Sequence, residues 1–306
     1  MTIHNSDIHH PKADMQTLTE IKELLAMAGH EPKKALGQNF LIDHNLIRKL
    51  VDASGVQAGD VVLEIGPGTG ALTVELLERG CIVIACELDR DFVRVLGETL
   101  GKQYPEHLIL IEADCLANKR ALHTEVIEQI ADRPFKLVAN LPYHAATPVM
   151  LALMSGHPNC SGMYTTIQHE VVERFAASPG SKTYGSISII AQCLGEVSTI
   201  AKLNPGCFWP QPGVGSAMMR WERDQAMAAS EDQAWWGEMA DMVQNLFQRR
   251  RKKLSGSVKQ LTKAPIDWPA GVTPDDRIDA LSPMQANALC KAIAHATQAG
   301  CPDSLS

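Results

Sequence analysis

Short runs of apolar residues recur along the first part of the chain, and amphipathic stretches separate them. Four runs lack a polar–apolar alternation: residues 61–65, 81–86, 108–111 and 135–139. Runs of this length are typical of strands that are buried on both faces. The intervening segments 70–79, 91–100 and 118–130 are predicted helices. Regular repetition of strand and helix predicts an α/β fold with a parallel sheet covered by helices.

The pattern continues beyond residue 140 with a different order of elements. Residues 163–167 are a predicted fifth strand, and residues 186–194 a predicted helix despite their β-branched side chains. Residues 197–203 and 216–221 are predicted strands, separated by a proline-rich loop at 204–212. We expect these two strands to form an antiparallel pair that closes one edge of the sheet.

The pattern of apolar and polar residues changes after Trp221. Residues 225–246 show a helical pattern, further helical pieces extend to residue 298, and no strand pattern appears. We therefore expect an extension at 1–30 that is partly disordered, an α/β domain at 31–222, and a small all-helical domain at 223–306. The length of 306 residues is consistent with two domains.

Composition and charge restrict the partners of the chain. The formal net charge of −7 argues against a general nucleic-acid binder, but phosphate binding depends on where cations lie. Residues 249–253 are five consecutive cations, so they are either a solvated helix end or a strip that contacts phosphates. The five cations are Arg249, Arg250, Arg251, Lys252 and Lys253.

Other simple features predict a cytoplasmic protein without a metal. The eight cysteines include no Cys-x-x-Cys pair, and several lie in apolar runs, so we expect reduced, buried thiols. The first residues lack the apolar core of a signal peptide, and no apolar stretch is long enough to span a membrane.

A glycine-rich loop follows the first predicted strand and opens a helix. Its glycines are Gly66, Gly68 and Gly70, so it is neither a phosphate-binding P-loop nor a Gly-x-Gly-x-x-Gly fingerprint. Glu87 ends the second strand, where an acid commonly binds a ribose diol, and Asp114 ends the third. Two acids without a phosphate-binding lysine favour a cofactor that lacks a pyrophosphate, and S-adenosylmethionine is such a cofactor.

The fourth predicted strand ends in Asn140-Leu141-Pro142-Tyr143. This sequence is typical of methyltransferases that act on exocyclic amino groups, whose nitrogen is a poor nucleophile. The Asn140 side chain and the Leu141 carbonyl could accept hydrogen bonds from the two amine N–H groups, and Pro142 would direct that carbonyl. Tyr143 offers a face for the base, and such stacking contributes about 1–3 kcal/mol. The expected catalysis is alignment rather than general-base chemistry.

Several ordered motifs together resemble the ribosomal RNA adenine dimethyltransferase family, in the branch that modifies two adjacent adenines of small-subunit RNA. The resemblance extends over about residues 33–281. Its motifs lie at 36–41, 64–70, 87–90, 140–143, 168–174, 181–185, 208–212 and 247–254. It implies a Rossmann-like sheet, S-adenosylmethionine as cofactor, and an extruded adenine that is methylated twice. It also implies a monomer that acts on ribosomal RNA within a small-subunit assembly particle.

The resemblance assigns roles to individual residues. Asn39 and Leu41 would line the methionine end of the cofactor, Gly66 would pack on it, and Glu87 and Asp114 would hold its ribose and adenine. Asn140 would serve both the cofactor and the target amine. Phe208 is a candidate second wall against the target base, and its alternative interpretation is a core residue in a proline-rich loop.

Four positions in three segments depart from the family pattern. His144 replaces an asparagine, residues 213–217 read Gly-Val-Gly-Ser-Ala instead of Lys-Val-Asp-Ser-Ala, and Ser186 replaces a frequent arginine. These changes spare the expected cofactor site and remove charges that would face RNA. Two alternatives stay open: a large-subunit RNA methyltransferase of the antibiotic-resistance type, and a non-catalytic ribosome-assembly factor with the same fold.

Overall fold

The structure is a computed structural model that describes residues 38–118 and 121–299. The predicted extension at 1–30 and Cys301 lie outside the described residues. The strands are β1 (Phe40–Leu41), β2 (Val61–Ile65), β3 (Ile82–Glu87), β4 (Leu108–Glu112), β5 (Leu116–Asn118), β6 (Ala121–Leu122), β7 (Phe135–Asn140), β8 (Cys160–Gln168), β9 (Gly195–Leu203), β10 (Phe208–Trp209) and β11 (Ser216–Arg223).

The helices cover both faces of the main sheet and form the C-terminal region. They are α1 (His44–Ser54), α2 (Ala71–Glu78), α3 (Arg90–Glu98), α4 (Leu100–Gln103), α5 (Thr124–Ile130), α6 (Tyr143–Gly156), α7 (His169–Phe175), α8 (Ser186–Leu194), α9 (Gln225–Ala228), α10 (Gln233–Phe247), α11 (Leu254–Val258) and α12 (Pro283–Ala299). None of the helices within the described ranges is both long and apolar enough to cross a membrane.

The main sheet has the strand order β4-β3-β2-β7-β8-β11-β9. The first five strands are parallel, while β11 is antiparallel to both β8 and β9. The predicted α/β class and the antiparallel pair at one edge are therefore confirmed. The order reverses between β2 and β7, and the crevice at such a switch point is where open α/β sheets bind ligands.

Burial explains why the apolar runs became central strands. Every residue of β2 is buried, and the strand lies between β3 and β7 with helices on both faces. The helix predicted at 186–194 is also confirmed as α8. Its isoleucines are buried in the core, so packing outweighs their weaker helix propensity.

The structure corrects two predicted helices. Residues 116–118 and 121–122 form the antiparallel strands β5 and β6, and the helix begins only at Thr124, because Leu122 is buried in the core in an extended conformation. The single helix predicted at 225–246 is divided into α9 and α10. Asp232 caps the second of these by accepting a hydrogen bond from the backbone N–H of Ala234.

The C-terminal helices pack against helices of the sheet region. One hydrophobic cluster includes Leu63 of β2, Trp236 of α10 and Leu289 of α12. Arg223 adds a polar link, because its buried guanidinium donates to carbonyls at the end of α6, among them those of Leu153 and His157. The C-terminal end of α6 is thereby fixed, and its N-terminal end lies at the candidate site. The domain boundary near residue 222 stays a prediction.

Candidate active site

An open cleft lies at the carboxyl ends of β2, β3, β4 and β7. Its lining comes from the segment before and within β1, the glycine-rich loop, the ends of β3 and β4, and residues 140–145. Among the predicted site residues, this lining includes Asn39, Gly66, Gly68, Glu87, Asp114, Asn140, Leu141, Pro142 and Tyr143. Segments distant in sequence therefore meet in one place.

The glycine-rich loop has a backbone that requires glycine. Gly66, Gly68 and Gly70 have φ values of 68°, 56° and 84°, in the left-handed region that residues with a side chain rarely adopt. A Cβ at Gly68 would also lie 2.8 Å from Cε1 of Phe40. The loop therefore turns tightly between β2 and α2 while it packs against an aromatic ring.

Glu87 joins the end of β3 to this loop. Its carboxylate accepts hydrogen bonds from the backbone N–H groups of Gly68 at 3.1 Å and Asp89 at 2.8 Å. The side chain is buried, and burial raises its pKa above the ordinary value. The carboxylate is thus held in a fixed position at the end of β3, facing the cleft.

Asp114 lies at the exposed rim of the same cleft. Its Oδ1 accepts a hydrogen bond of 3.0 Å from the backbone N–H of Leu116, which fixes the turn after β4. The neighbouring thiols of Cys86 and Cys115 also line the cleft, and both are buried and free. Burial raises the pKa of the Cys115 thiol to about 12, so it stays neutral.

Asn140 ends β7 with its side chain in a fixed orientation. Its amide nitrogen donates to the backbone carbonyl of Asn39 at 2.8 Å. Since this bond uses the amide nitrogen, the group that the side chain offers to an amine is its carbonyl oxygen. Pro142 packs beside the glycine loop, where its ring carbons would be 3.6 Å from a Cβ on Gly66.

Tyr143 is the first residue of α6, and its ring is half-buried in the cleft wall. Its hydroxyl and the hydroxyl of Ser216 are 2.5 Å apart, a short hydrogen bond to the first residue of β11. Burial raises the pKa of Tyr143, an effect partly offset by this bond. His144 follows at the exposed rim and also lines the cleft.

Two of the predicted catalytic and cofactor-binding residues do not line this cleft. Phe208 is 2% exposed, pairs with Leu41 between β10 and β1, and packs in the core with Ile47 and Met218. Its ring is therefore a core element and does not line this cleft. Leu41 lines a smaller adjoining cavity together with Gly66 and Asn140.

The structure adds site residues that the sequence did not single out. Phe40 and Gln38 line the cleft, and Gln38 donates to Asp89 at 3.2 Å. Glu64 lies beneath the glycine loop, is fully buried and accepts a 2.7 Å hydrogen bond from the Thr73 hydroxyl. Burial raises the pKa of Glu64 to about 8. The only sequence signal for Glu64 was a charged residue inside an apolar run.

The five consecutive cations have different environments. Arg250 donates to the Asp279 carboxylate at 3.0 Å and to the backbone carbonyls of Ser181 and Lys182. Lys253 forms an exposed ion pair with Asp275. The other three, Arg249, Arg251 and Lys252, are exposed.

The charge of the cleft fits a cationic ligand. Its described lining contains the carboxylates of Glu87 and Asp114 and no lysine or arginine. Carboxylates favour a nearby positive charge, whereas a pyrophosphate would require cations or more backbone donors. The sulfonium of S-adenosylmethionine meets this requirement, so the residues present fit the cofactor that the sequence predicts.

Comparisons with known proteins agree with this arrangement. The family model of the ribosomal RNA adenine dimethylases matches residues 29–295. A relative from Opitutus terrae, named ribosomal RNA small subunit methyltransferase A, is 38% identical over 262 residues, which cover 84% of this chain and 90% of that protein. A relative of the same name from Bifidobacterium longum is 36% identical, with 90% of this chain and 92% of that protein covered.

Two solved structures share the fold at low sequence identity. A dimethyladenosine transferase from Plasmodium falciparum has a TM-score of 0.64 and 20% identity, covering 83% of this chain and 98% of that one. The 23S rRNA methyltransferase ErmE has a TM-score of 0.59 and 22% identity, covering 84% of this chain and all of that one. With the family match and the cleft geometry, these findings show that the chain belongs to the ribosomal RNA adenine dimethylase family.

Proposed function

We propose that this protein transfers methyl groups from S-adenosylmethionine to adenines of small-subunit ribosomal RNA and forms N6,N6-dimethyladenine. One observation carries the proposal: Asn140-Leu141-Pro142-Tyr143 ends β7 in the same cleft as Glu87 and Asp114. An amine-binding motif and a nucleoside-binding pair of acids therefore face a common space. The names of the relatives with 36–38% identity support the small subunit as the source of the substrate.

The cofactor would bind between the glycine loop and the ends of β3 and β4. Glu87 would accept hydrogen bonds from its ribose, Asp114 would accept from its adenine amine, and Asn39 would lie at its methionine end. When bound, S-adenosylmethionine supplies an electrophilic methyl group. The acidic lining would stabilise the positive charge of the sulfonium that carries this methyl group, and Gly66 would permit the cofactor to approach the backbone closely.

The target amine would be held by acceptors rather than activated by a base. The Asn140 Oδ1 and the Leu141 carbonyl would each accept a hydrogen bond from one amine N–H, which withdraws the nitrogen lone pair from the ring and directs it toward the methyl group. The base stacks on Tyr143 after extrusion from the RNA. The nitrogen that gains a methyl group loses one proton to solvent at the open cleft. In the second transfer the monomethylated amine has one N–H left, which would donate to one of the two acceptors, and loss of that proton completes dimethylation.

RNA would contact the protein through the exposed cations of the run 249–253. We assign phosphate contacts to Arg249, Arg251 and Lys252, which are exposed. Arg250 and Lys253, which were also predicted to contact RNA, have carboxylate partners, and Arg250 connects two segments. The proposal includes action as a cytoplasmic monomer on an assembling small-subunit particle.

The direct test is methyl transfer by the wild type and Asn140→Ala. Purified protein is incubated with labelled S-adenosylmethionine and unmethylated small-subunit particles, and the digested nucleosides are quantified by mass. We expect dimethyladenosine from the wild type and at least ~100-fold slower transfer by the variant, as for loss of a group that acts in the transition state. Gln225→Ala, an exposed amide on α9, is the matched control. Undiminished transfer by Asn140→Ala would refute the assigned mechanism, and particle binding without any transfer would support an assembly factor.

A further inference from the structure

The ring of Tyr143 is held at both ends by different elements. Its backbone end is fixed at the start of α6, directly after Pro142. Its hydroxyl end is bonded to Ser216 of β11 at 2.5 Å. A tyrosine that is free at its hydroxyl could rotate about two side-chain bonds, whereas this ring bridges two segments that are 73 residues apart in sequence.

Sheet topology explains why Ser216 reaches the site. Strand β11 runs antiparallel to β8, so its first residue lies at the carboxyl end of the parallel strands. Ser216 pairs there with Gln168 of β8 and Leu203 of β9 and is only 2% exposed. The backbone before it is also tied, because the His169 N–H donates to the Gly215 carbonyl at 2.9 Å. The serine hydroxyl is therefore a rigid anchor.

We infer that Ser216 is a positioning residue whose hydroxyl holds the Tyr143 ring in the orientation that stacks against the target adenine. The inference rests on the proposed function, in which Tyr143 contacts the base. A fixed ring lowers the entropy cost of ordering the extruded adenine. It also keeps the distance between base and methyl group the same in the first and second transfers. Loss of the anchor should therefore reduce dimethylation more than monomethylation.

The first test is a mutant cycle with Ser216→Ala, Tyr143→Phe and the double variant. Each single change should slow dimethyladenosine formation by about fivefold, the effect of one lost neutral hydrogen bond, and raise the proportion of monomethyladenosine. The double variant should be no slower than either single variant, because both remove the same bond. Ser216→Thr keeps the hydroxyl and should restore the rate. Cofactor affinity should stay unchanged in all variants.

The control is Thr166→Val, which removes another buried hydroxyl on the adjacent strand β8. The Thr166 hydroxyl has no hydrogen-bond partner among the residues that the structure describes. Its removal should leave both the rate and the product ratio unchanged. If Thr166→Val and Ser216→Ala behave alike, or if the two single effects add in the double variant, the positioning role is wrong.

A second readout does not depend on activity. Tyrosines labelled with ¹³C at the ζ carbon give four signals, and Tyr143→Phe identifies one of them. Because the bond to Ser216 lowers the pKa of Tyr143, Ser216→Ala should move that signal's titration to higher pH, and Ser216→Thr should move it back. An unchanged titration would overturn the anchor even in an active enzyme. A wild type that methylates no ribosomal RNA would instead overturn the proposed function and, with it, this inference.

Discussion

At the scale of single residues, burial decides how the acids of the site behave. Glu87 lines the cleft and Glu64 lines the smaller adjoining cavity, and burial raises the pKa values of both carboxyl groups. Glu87 accepts two backbone N–H groups, whereas Glu64 has the hydroxyl of Thr73. A carboxyl group with a raised pKa makes the folded state sensitive to pH.

Replacement of Glu64 by glutamine should stabilise the protein more at pH 8 than at pH 5. Below about pH 4.5 the group is protonated in both states, and as the pH rises toward about 8 the unfolded chain loses this proton while the folded chain retains it. Wild-type stability should therefore fall over this range. Glu64→Gln removes that loss, and its amide oxygen can still accept the hydrogen bond from the Thr73 hydroxyl. The difference in free energy of unfolding between the variant and the wild type should therefore grow by on the order of a few kcal/mol from pH 5 to pH 8.

Urea denaturation at the two pH values measures this difference. Glu112→Gln is the control, because Glu112 is an exposed carboxylate paired with Arg90. If the variant and the wild type differ in free energy of unfolding by the same amount at pH 5 and pH 8, Glu64 is not held protonated in the folded protein.

Residue positions in the cleft could be predicted from sequence where a motif is attached to the end of a strand. Glu87 and Asn140 end strands and Gly66 directly follows one, so the topology alone brings them to one edge. Ser216 was not predicted, because its contact with Tyr143 depends on the antiparallel insertion of β11 beside β8. Phe208 has a suitable side chain near family motifs, but the pairing of β10 with β1 places its ring in the core.

At the scale of elements, buried strands were predictable and short paired segments were not. Apolar runs such as residues 61–65 are long enough to define strands by themselves. The two-residue strands β1 and β10 have no such pattern, and they exist because they pair with each other. The divided helix at 225–246 depends on the Asp232 cap, a local hydrogen bond that periodicity does not reveal.

Arg250 connects elements, so its replacement should affect stability rather than RNA affinity alone. Arg250→Gln would leave the Asp279 carboxylate, which is 14% exposed, and two backbone carbonyls without their charged donor. We expect a loss of about 1–3 kcal/mol in the free energy of unfolding. Arg249→Gln, at an exposed position beside it, should change that free energy by less than about 0.5 kcal/mol. Equal denaturation midpoints for the two variants would show that Arg250 is not a structural link.

At the scale of the whole molecule, an acidic protein must confine its RNA contacts to a limited surface. The formal net charge is −7, and the cleft itself carries acids without lysine or arginine in its described lining. Repulsion between phosphates and these acids would oppose binding in most orientations. We therefore expect the exposed cations Arg249, Arg251 and Lys252 to supply orientation as well as affinity.

Reversal of two of these cations tests that surface. Arg251→Glu with Lys252→Glu should weaken RNA binding and reduce the slope of log K against log salt by about 2, because roughly one counterion is released per phosphate contact. Arg94→Glu with Lys102→Glu makes the same change in net charge near the opposite edge of the sheet, on α3 and α4, and should leave the slope unchanged. Equal slopes for both double variants would mean that only overall charge matters.

The central claim is that this protein dimethylates adenine in small-subunit RNA, and mapping of the product tests it most directly. Unmethylated small- and large-subunit particles are mixed with the protein and S-adenosylmethionine. Reverse transcription then locates the dimethyladenines, because these bases stop the reverse transcriptase. We expect stops at adjacent adenines of small-subunit RNA that are absent with Asn140→Ala. Stops confined to large-subunit RNA would contradict the account and assign the same cleft to the other ribosomal substrate.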